Sequence, residues 1–278
     1  MITHLAGVCD LLRCPRCGQP LTLADRQLGC PTGHRFDVAR QGYVNLLPHR
    51  PPANADTAEM VRARFDFLAA GHYRPLVEAL AVLPAAGAAV IIDVGAGPGR
   101  YLAEVLDRVP AARGLALDVS VPACRRAARA HPRMGAVVSD VWQHLPVADD
   151  VADVILVIFA PRNFAEFDRV LRPGGRLIIV TPQADHLHEL VSAFGLMEVQ
   201  PDKADRLHRQ AEERFEVVGR RPVRFPLRLG GPEIVQLIGM GPNAFHIEAG
   251  SLPDRAAALA PLTVTASCLV TELISRPR

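Results

Sequence analysis

Four side chains near the start of the chain have the spacing of metal ligands: Cys14-Pro15-Arg16-Cys17, then Cys30 and His34. Two thiolates two residues apart form a knuckle. A second pair about a dozen residues on closes a tetrahedral site, the pattern of structural zinc held by three Cys and one His. A reduced pair of core cysteines is the other reading, but so short a segment has little core of its own and needs a staple. Met1 to Val8 lacks the basic start and long apolar core of a secretory signal, so disulfides are not expected and a cytoplasmic location is. Cys9 lies just outside the knuckle and reads as a bystander that could substitute for a ligand. Cys124 and Cys268 read as small buried residues.

A second set of residues suits a nucleoside. The apolar run 88–92 ends in Asp93-Val94-Gly95-Ala96-Gly97-Pro98-Gly99. A buried strand that enters alternate glycines lets the backbone pass close to a ligand with no Cβ in the way. Glycines placed only for packing would look the same. Acids follow at suitable intervals, however. Asp118 ends the strand 114–117 and can accept both ribose hydroxyls. Asp140 ends the strand 135–139. Each acid alone could be a helix cap or a turn residue, but three at successive strand ends argue jointly for a cofactor. The G-x-G-x-G version after Asp93 resembles the first motif of class I S-adenosylmethionine (SAM) methyltransferases. That resemblance implies that Asp140 takes the adenine amino group and that Val141 and Trp142 cover the ring.

These residues need a frame. Strands and helices alternate from residue 88 to about 195, the pattern of a parallel sheet covered on both faces. A strand at 153–159 runs into Ala160-Pro161-Arg162-Asn163, and a Pro-Gly-Gly turn precedes a fifth strand. Strands near 216–225 and 263–275, the last antiparallel and with a helical segment between, complete a mostly parallel seven-stranded, Rossmann-like α/β sheet. The domains expected are 1–47, a zinc-binding RNA-recognition module built of two small hairpins; 48–87, a proline-broken linker and lid helices at 57–70 and 73–83; and 88–278, the SAM domain. Thr57 or Asp56 would cap the first helix and Gly71 would end it.

Composition excludes little: apolar content is 49% and the formal net charge is +2. No apolar stretch reaches membrane-spanning length. The distribution of charge says more. Of 31 basic residues only Lys203 is Lys. Residues 1–50 hold Arg13, Arg16, Arg26, Arg35, Arg40 and Arg50 against three Asp. Further arginines crowd 125–133 and 220–228. Arg forks suit phosphate and stack on bases, whereas a coding preference for Arg on solvated faces is the bland account.

Cys14–Cys17 followed by the run from Cys30 to Leu47 resembles the opening of the RlmA-type 23S ribosomal RNA guanine-N1 methyltransferases. Residues 56–64 with Gly71-His72-Tyr73, then Phe159-Ala160-Pro161-Arg162-Asn163, Thr181-Pro182 and Met240-Gly241-Pro242, resemble later blocks of that family. The likeness implies methyl transfer from SAM to guanine N1 in a 23S rRNA hairpin, and a homodimer. The Phe-Ala-Pro-Arg-Asn segment is similar to the macrolide (tylosin) resistance branch. Phe159 would stack on the base, and Arg162 or Asn163 would bind its O6 or a phosphate. The plain alternatives are a core Phe159 and a solvated Arg162. Asp56 and Glu59 read as helix-start residues that reach the site only if the linker is a lid. His72 and Tyr73 read as packing or as site residues. The sequence does not identify the proton acceptor. Two other functions stay open: a small-molecule SAM methyltransferase with a purely structural zinc ribbon, and a SAM-holding protein without turnover.

Overall fold

The computed structural model describes residues 2–49, 52, 54–83, 87–197, 211–241, 244 and 250–276. Lys203, Pro242 and, from the linker, Arg50, Pro51 and Ala53 lie outside them. Apolar runs with no polar alternation become strands buried on both faces, as parallel sheets require. β5 (Val90–Val94), β7 (Met134–Val138) and β8 (Ala152–Ile158) are buried at every position. β6 (Arg113–Asp118) lies between β5 and β7, and β9 (Leu171–Pro182) beyond β8. β10 (Phe215–Leu229) and β11 (Leu262–Ser275) close the far edge, with β11 antiparallel to both neighbours. Residues 172–175 loop out between the pairs Ala152–Leu171 and Val154–Arg176. The expected Pro-Gly-Gly turn is thus a bulge inside β9 rather than a break before it.

Helices flank the sheet: α2 (Ala58–Ala69), α3 (Arg74–Ala81), α4 (Arg100–Arg108), α5 (Val121–Ala127), α6 (Phe164–Val170) and α7 (His188–Phe194). α8 (Gly231–Gly239) and α9 (Leu252–Leu259) fill the segment between the last two strands. Thr57 caps α2, its hydroxyl accepting from Met60 N. No helix among the described residues is long and apolar enough to cross a membrane.

The N-terminal segment is tied into this frame more closely than the expected boundary at residue 47 implies. β1 (Thr22–Ala24), β2 (Gln27–Gly29) and β3 (Arg35–Asp37) form the two expected hairpins as a small antiparallel sheet. β4 (Tyr43–Asn45) instead leaves it and pairs parallel with β7. Among the described residues the large sheet therefore has eight strands, in the order β10-β11-β9-β8-β5-β6-β7-β4. α1 (Ile2–Ala6) and the turn after it pack on the same edge. A Cβ on Gly135 of β7 would come within 2.3 Å of Val8. Leu5, Leu12, Leu28 and Val44 share one apolar core with Ile92, Leu117 and Val137. Nothing in the local pattern announces this, because a three-residue strand gains its partner only from the tertiary fold.

The arginine crowds divide by job. Arg133 donates to the carbonyls of Val109, Ala112 and Leu106, closing the C-terminal end of α4. Arg126 lies 4.5 Å over the Phe65 ring. Arg220, Arg221, Arg224 and Arg228 ride exposed on β10, an edge strand that also carries Pro222 and Pro226. Charge and proline there keep the edge from pairing with another strand.

Candidate active site and metal centre

The ligand set Cys14, Cys17, Cys30 and His34 converges, with its donor atoms all within 4.8 Å of one another. Two glycines make this possible locally. Gly18 N donates to Cys14 O and Gly33 N to Cys30 O, and both glycines sit at positive φ, 71° and 89°. Each knuckle thus turns back on its cysteine. Cys17 and Cys30 sulfurs are 3.7 Å apart, and His34 Nδ1 is 3.4 and 3.5 Å from Cys14 and Cys30. A tetrahedral zinc with ordinary bond lengths requires edges of about 3.8 Å between sulfurs and about 3.5 Å from sulfur to nitrogen. The donors fit that ion. The Thr32 hydroxyl is 3.0 Å from both Cys17 and Cys30 sulfurs and supports the ligands from outside. Cys9 stays apart, its thiol donating to Leu21 O. Arg16, Arg26, Arg35 and Arg40 stand exposed on the same N-terminal segment.

The second centre lies at the carboxyl ends of the parallel strands, where α/β sheets place ligands. Asp93 closes β5 and is 1% exposed. Neither carboxylate oxygen has a hydrogen-bond partner among the described residues. Burial, with the Asp118 charge nearby, pushes the carboxyl up to about 8. An acid left so exposed to its own desolvation calls for a donor that the protein does not supply. Gly95 and Gly97 continue the turn at φ 75° and 54°. Asp118 ends β6 and accepts from Gly97 N at 2.7 Å and Ser120 N at 2.8 Å, which fastens the glycine turn to the second strand.

A cavity of about 320 Å³ opens here, within the range of small-molecule sites. Of the expected residues it takes in Asp93, Gly95, Gly97 and Phe159. Phe159 is not core. It is 41% exposed and held at φ 54°, a costly conformation for a non-glycine residue. Tyr73 also lines the cavity, edge-on to Phe159 with centroids 6.2 Å apart. Arg64 of α2 joins them, paired to Asp56 and donating to Met240 O. Ser120 Oγ donates to Asp56 O at 2.7 Å, so the linker is pinned across the glycine turn.

Other expected residues do different work. Gly99 precedes α4 at φ 76°, and a Cβ there would meet Met134 and Ala127 at 2.9 and 3.0 Å, so its need is helix packing. Asn163 caps α6 by accepting from Glu166 N and donates to Val141 O, which commits its amide to the fold. Asp140 accepts from Trp142 N at 3.0 Å, and Trp142 is 64% exposed. Asp140, Val141 and Trp142 border the β7 exit and are not in the cavity lining. Arg162 is also outside it, with a buried Nε that has no partner among the described residues. Asp56 spends its carboxylate on Arg64, and Glu59 is exposed at the start of α2. His72 stacks on Phe67 at 4.4 Å. His186, which no sequence signal singles out, lines the cavity 3.4 Å from the Tyr73 hydroxyl.

The glycine turn yields a prediction. A Cβ on Gly95 would sit 2.4 Å from Ala160 Cβ, whereas one on Gly97 meets only the flexible Arg64 side chain at 3.4 Å. Gly95→Ala should therefore lower stability by about 2–4 kcal/mol, overpacking added to left-handed strain. Gly97→Ala should cost about 1–2 kcal/mol, the strain alone. Thermal melts of the two ligand-free variants check this ordering.

Comparison with known proteins finds a family match in each of these two regions. Residues 12–51 match the zinc-ribbon family RlmA, N-terminal, and residues 91–175 match a Methyltransferase domain family. A Micromonospora griseorubida protein assigned by name as a 23S rRNA (guanine-N1)-methyltransferase is 52% identical, over 92% of this chain and 94% of its own. The 23S rRNA (guanine(748)-N1)-methyltransferase of Streptomyces fradiae is 49% identical over 91% and 92%. Among solved structures, a chain of the complex between the Haloferax volcanii Trm112 methyltransferase activator and its methyltransferase shares the fold. Its TM-score is 0.54 at 18% identity, covering 79% of this chain and 97% of that one.

Proposed function

The chain belongs to the 23S rRNA (guanine-N1)-methyltransferases, and from that premise we propose that it methylates N1 of a guanine in a 23S rRNA hairpin loop, with SAM as donor. The observation that carries the reading is the joining of two centres in one core. An RlmA-type zinc ribbon adds a strand to the sheet whose strand ends hold the orphaned Asp93 and the glycine turn. The exposed arginines of that ribbon suit a phosphate backbone.

When bound, SAM supplies a methyl group on a sulfonium, passed on by in-line displacement. The protein's own part is to bind and align donor and acceptor. Asp93 suits a cationic donor of the cofactor, Gly95 and Gly97 let the chain's backbone approach it, and Asp118, outside the cavity lining and holding Gly97 N and Ser120 N, is proposed for the ribose through its remaining lone pairs. Asp140 with Val141 and Trp142 is proposed for the adenine. Phe159 is the platform for the target base, which must leave its stack because N1 lies on the Watson–Crick edge. Arg162 is assigned to a phosphate. Residues 1–47 grip the hairpin through Arg16, Arg26, Arg35 and Arg40, residues 48–87 cover the cofactor, and residues 88–278 carry the chemistry in the cytoplasm. A homodimer would set two ribbons against one RNA. The relative that acts on guanine 748 makes that position the first to examine, and macrolide resistance the biological outcome to assay.

Primer extension across unmodified 23S rRNA, after incubation with protein and SAM, tests the proposal. N1 methylation blocks pairing, so a single SAM-dependent stop in a hairpin loop is expected. SAM binding without any stop, on free rRNA or on large subunits, would point instead to a small-molecule substrate.

A further inference from the structure

Tyr73 is 2% exposed, yet it lines the cavity together with His186. The backbone N–H of Ser267 donates to His186 Nδ1 at 3.1 Å. Nδ1 must then hold a lone pair, so the neutral ring carries its proton on Nε2. Burial holds His186 down at about 4, which keeps that ring neutral near pH 7. Nε2 is 3.4 Å from Tyr73 Oη and donates to it. A phenol that accepts from an imidazole still has its own proton to give. Burial keeps that proton in place, since Tyr73 is pushed well above its ordinary value. The donors therefore run one way, from Ser267 to His186 to Tyr73, and the next acceptor in line is a ligand in the cavity.

Phe159 says where that ligand sits. Its ring is edge-on to Tyr73 and 5.9 Å from the His186 ring. A base stacked on Phe159 would share the cavity with the Tyr73 phenol. We propose that Tyr73 is a catalytic residue that donates a hydrogen bond to O6 of the target guanine, with His186 as the residue that positions it; the inference rests on the guanine-N1 reading above.

The chemistry requires such a donor. The N1 proton leaves to water, and the charge left behind is shared between N1 and O6. The N1 lone pair forms the new N–C bond, while the pair of the broken S–C bond stays on sulfur as a thioether. A phenol at O6 stabilises the charge where it develops. It also rejects adenine, which presents an amino donor at the same place. Other titratable groups face the pair. Asp93 shares the cavity, Tyr101 and Cys268 bear on Tyr73, and Asp185 bears on His186. All are common to the variants below, so the difference between variants isolates the phenol.

The test is the single-turnover methylation rate of the 23S rRNA hairpin at saturating SAM, measured across pH for wild type, Tyr73→Phe, His186→Gln and His186→Leu. Tyr73→Phe should be slower by about 10²-fold near neutrality, the effect of losing one oxyanion donor. The deficit should shrink towards high pH, where hydroxide removes the N1 proton unaided. His186→Gln keeps an amide N–H in place of Nε2–H and should retain most of the rate, whereas His186→Leu should fall with Tyr73→Phe. SAM affinity and the KM for RNA should hardly move. A Tyr73→Phe rate equal to wild type, or a deficit that does not change with pH, overturns the role of Tyr73 alone. Failure of the wild type to methylate the hairpin overturns the guanine-N1 reading, and this inference with it.

Discussion

Asp93→Asn is expected to weaken SAM binding by about 10²-fold or more while making the ligand-free protein more stable. The two effects share one cause. The carboxyl is buried at the end of β5, and neither oxygen has a hydrogen-bond partner among the described residues. Its value in the folded protein, about 8, lies above the ordinary 3.8. Folding therefore takes up a proton between those two values, and the ionised form is the one penalised. The ligand-free protein should lose stability as pH rises from about 4 through about 8, by a few kcal/mol in total. The asparagine variant has no charge to bury and should lack that slope. Its melting temperature near neutrality should exceed wild type by several degrees, as such an energy implies for a chain of this size. A cationic ligand reverses the account, because it pairs with the ionised carboxylate and an asparagine cannot replace that charge. Melting curves across pH and calorimetric titration with SAM check both halves. Unchanged SAM affinity in the variant would remove Asp93 from the cofactor site.

Cys17→Ser should release the metal and cut affinity for the rRNA hairpin by about 10²-fold, with SAM affinity changed by less than about threefold. Structural zinc contributes on the order of 10 kcal/mol to small ribbons, far more than hairpins of three-residue strands can make good. Losing one of four ligands should free β1, β2, β3 and the exposed Arg16, Arg26 and Arg35 from their fixed arrangement. RNA binding through several phosphate contacts depends on that arrangement and should fall steeply with salt in the wild type. SAM binding is expected to survive because no residue of 2–49 lines the cavity. The melting temperature should still drop, since Leu21 and Leu28 belong to the core shared with the large sheet. Metal analysis, RNA binding at two salt concentrations and SAM titration are the measurements. A variant that keeps one zinc per chain, or binds RNA as before, would contradict the ribbon's role.

The parts legible in the sequence are those that local chemistry dictates. Two cysteines, a third and a histidine at knuckle spacing form a metal set because short turns bring them round, and Gly18 and Gly33 take the positive φ those turns need. Uninterrupted apolar runs become the parallel core, and an acid with alternate glycines ends its first strand. Other residues take their environment from distant segments. Gly99 has the spacing of a cofactor glycine, but Met134 and Ala127 crowd it. Asn163 has the chemistry to hold a base, but α6 and Val141 claim its amide. The arginines of β10 have the charge of an RNA surface but guard a sheet edge.

The zinc ligands, the strand-ending acids and the α/β class are legible along the chain because each follows from its neighbours in sequence. Folding in three dimensions is what joins β4 to the large sheet, lays Arg64 against the glycine turn and brings His186 to Tyr73 across 113 positions. Pairings of that separation have no local signature. They arise when burial of the shared apolar core fixes which distant backbones lie side by side.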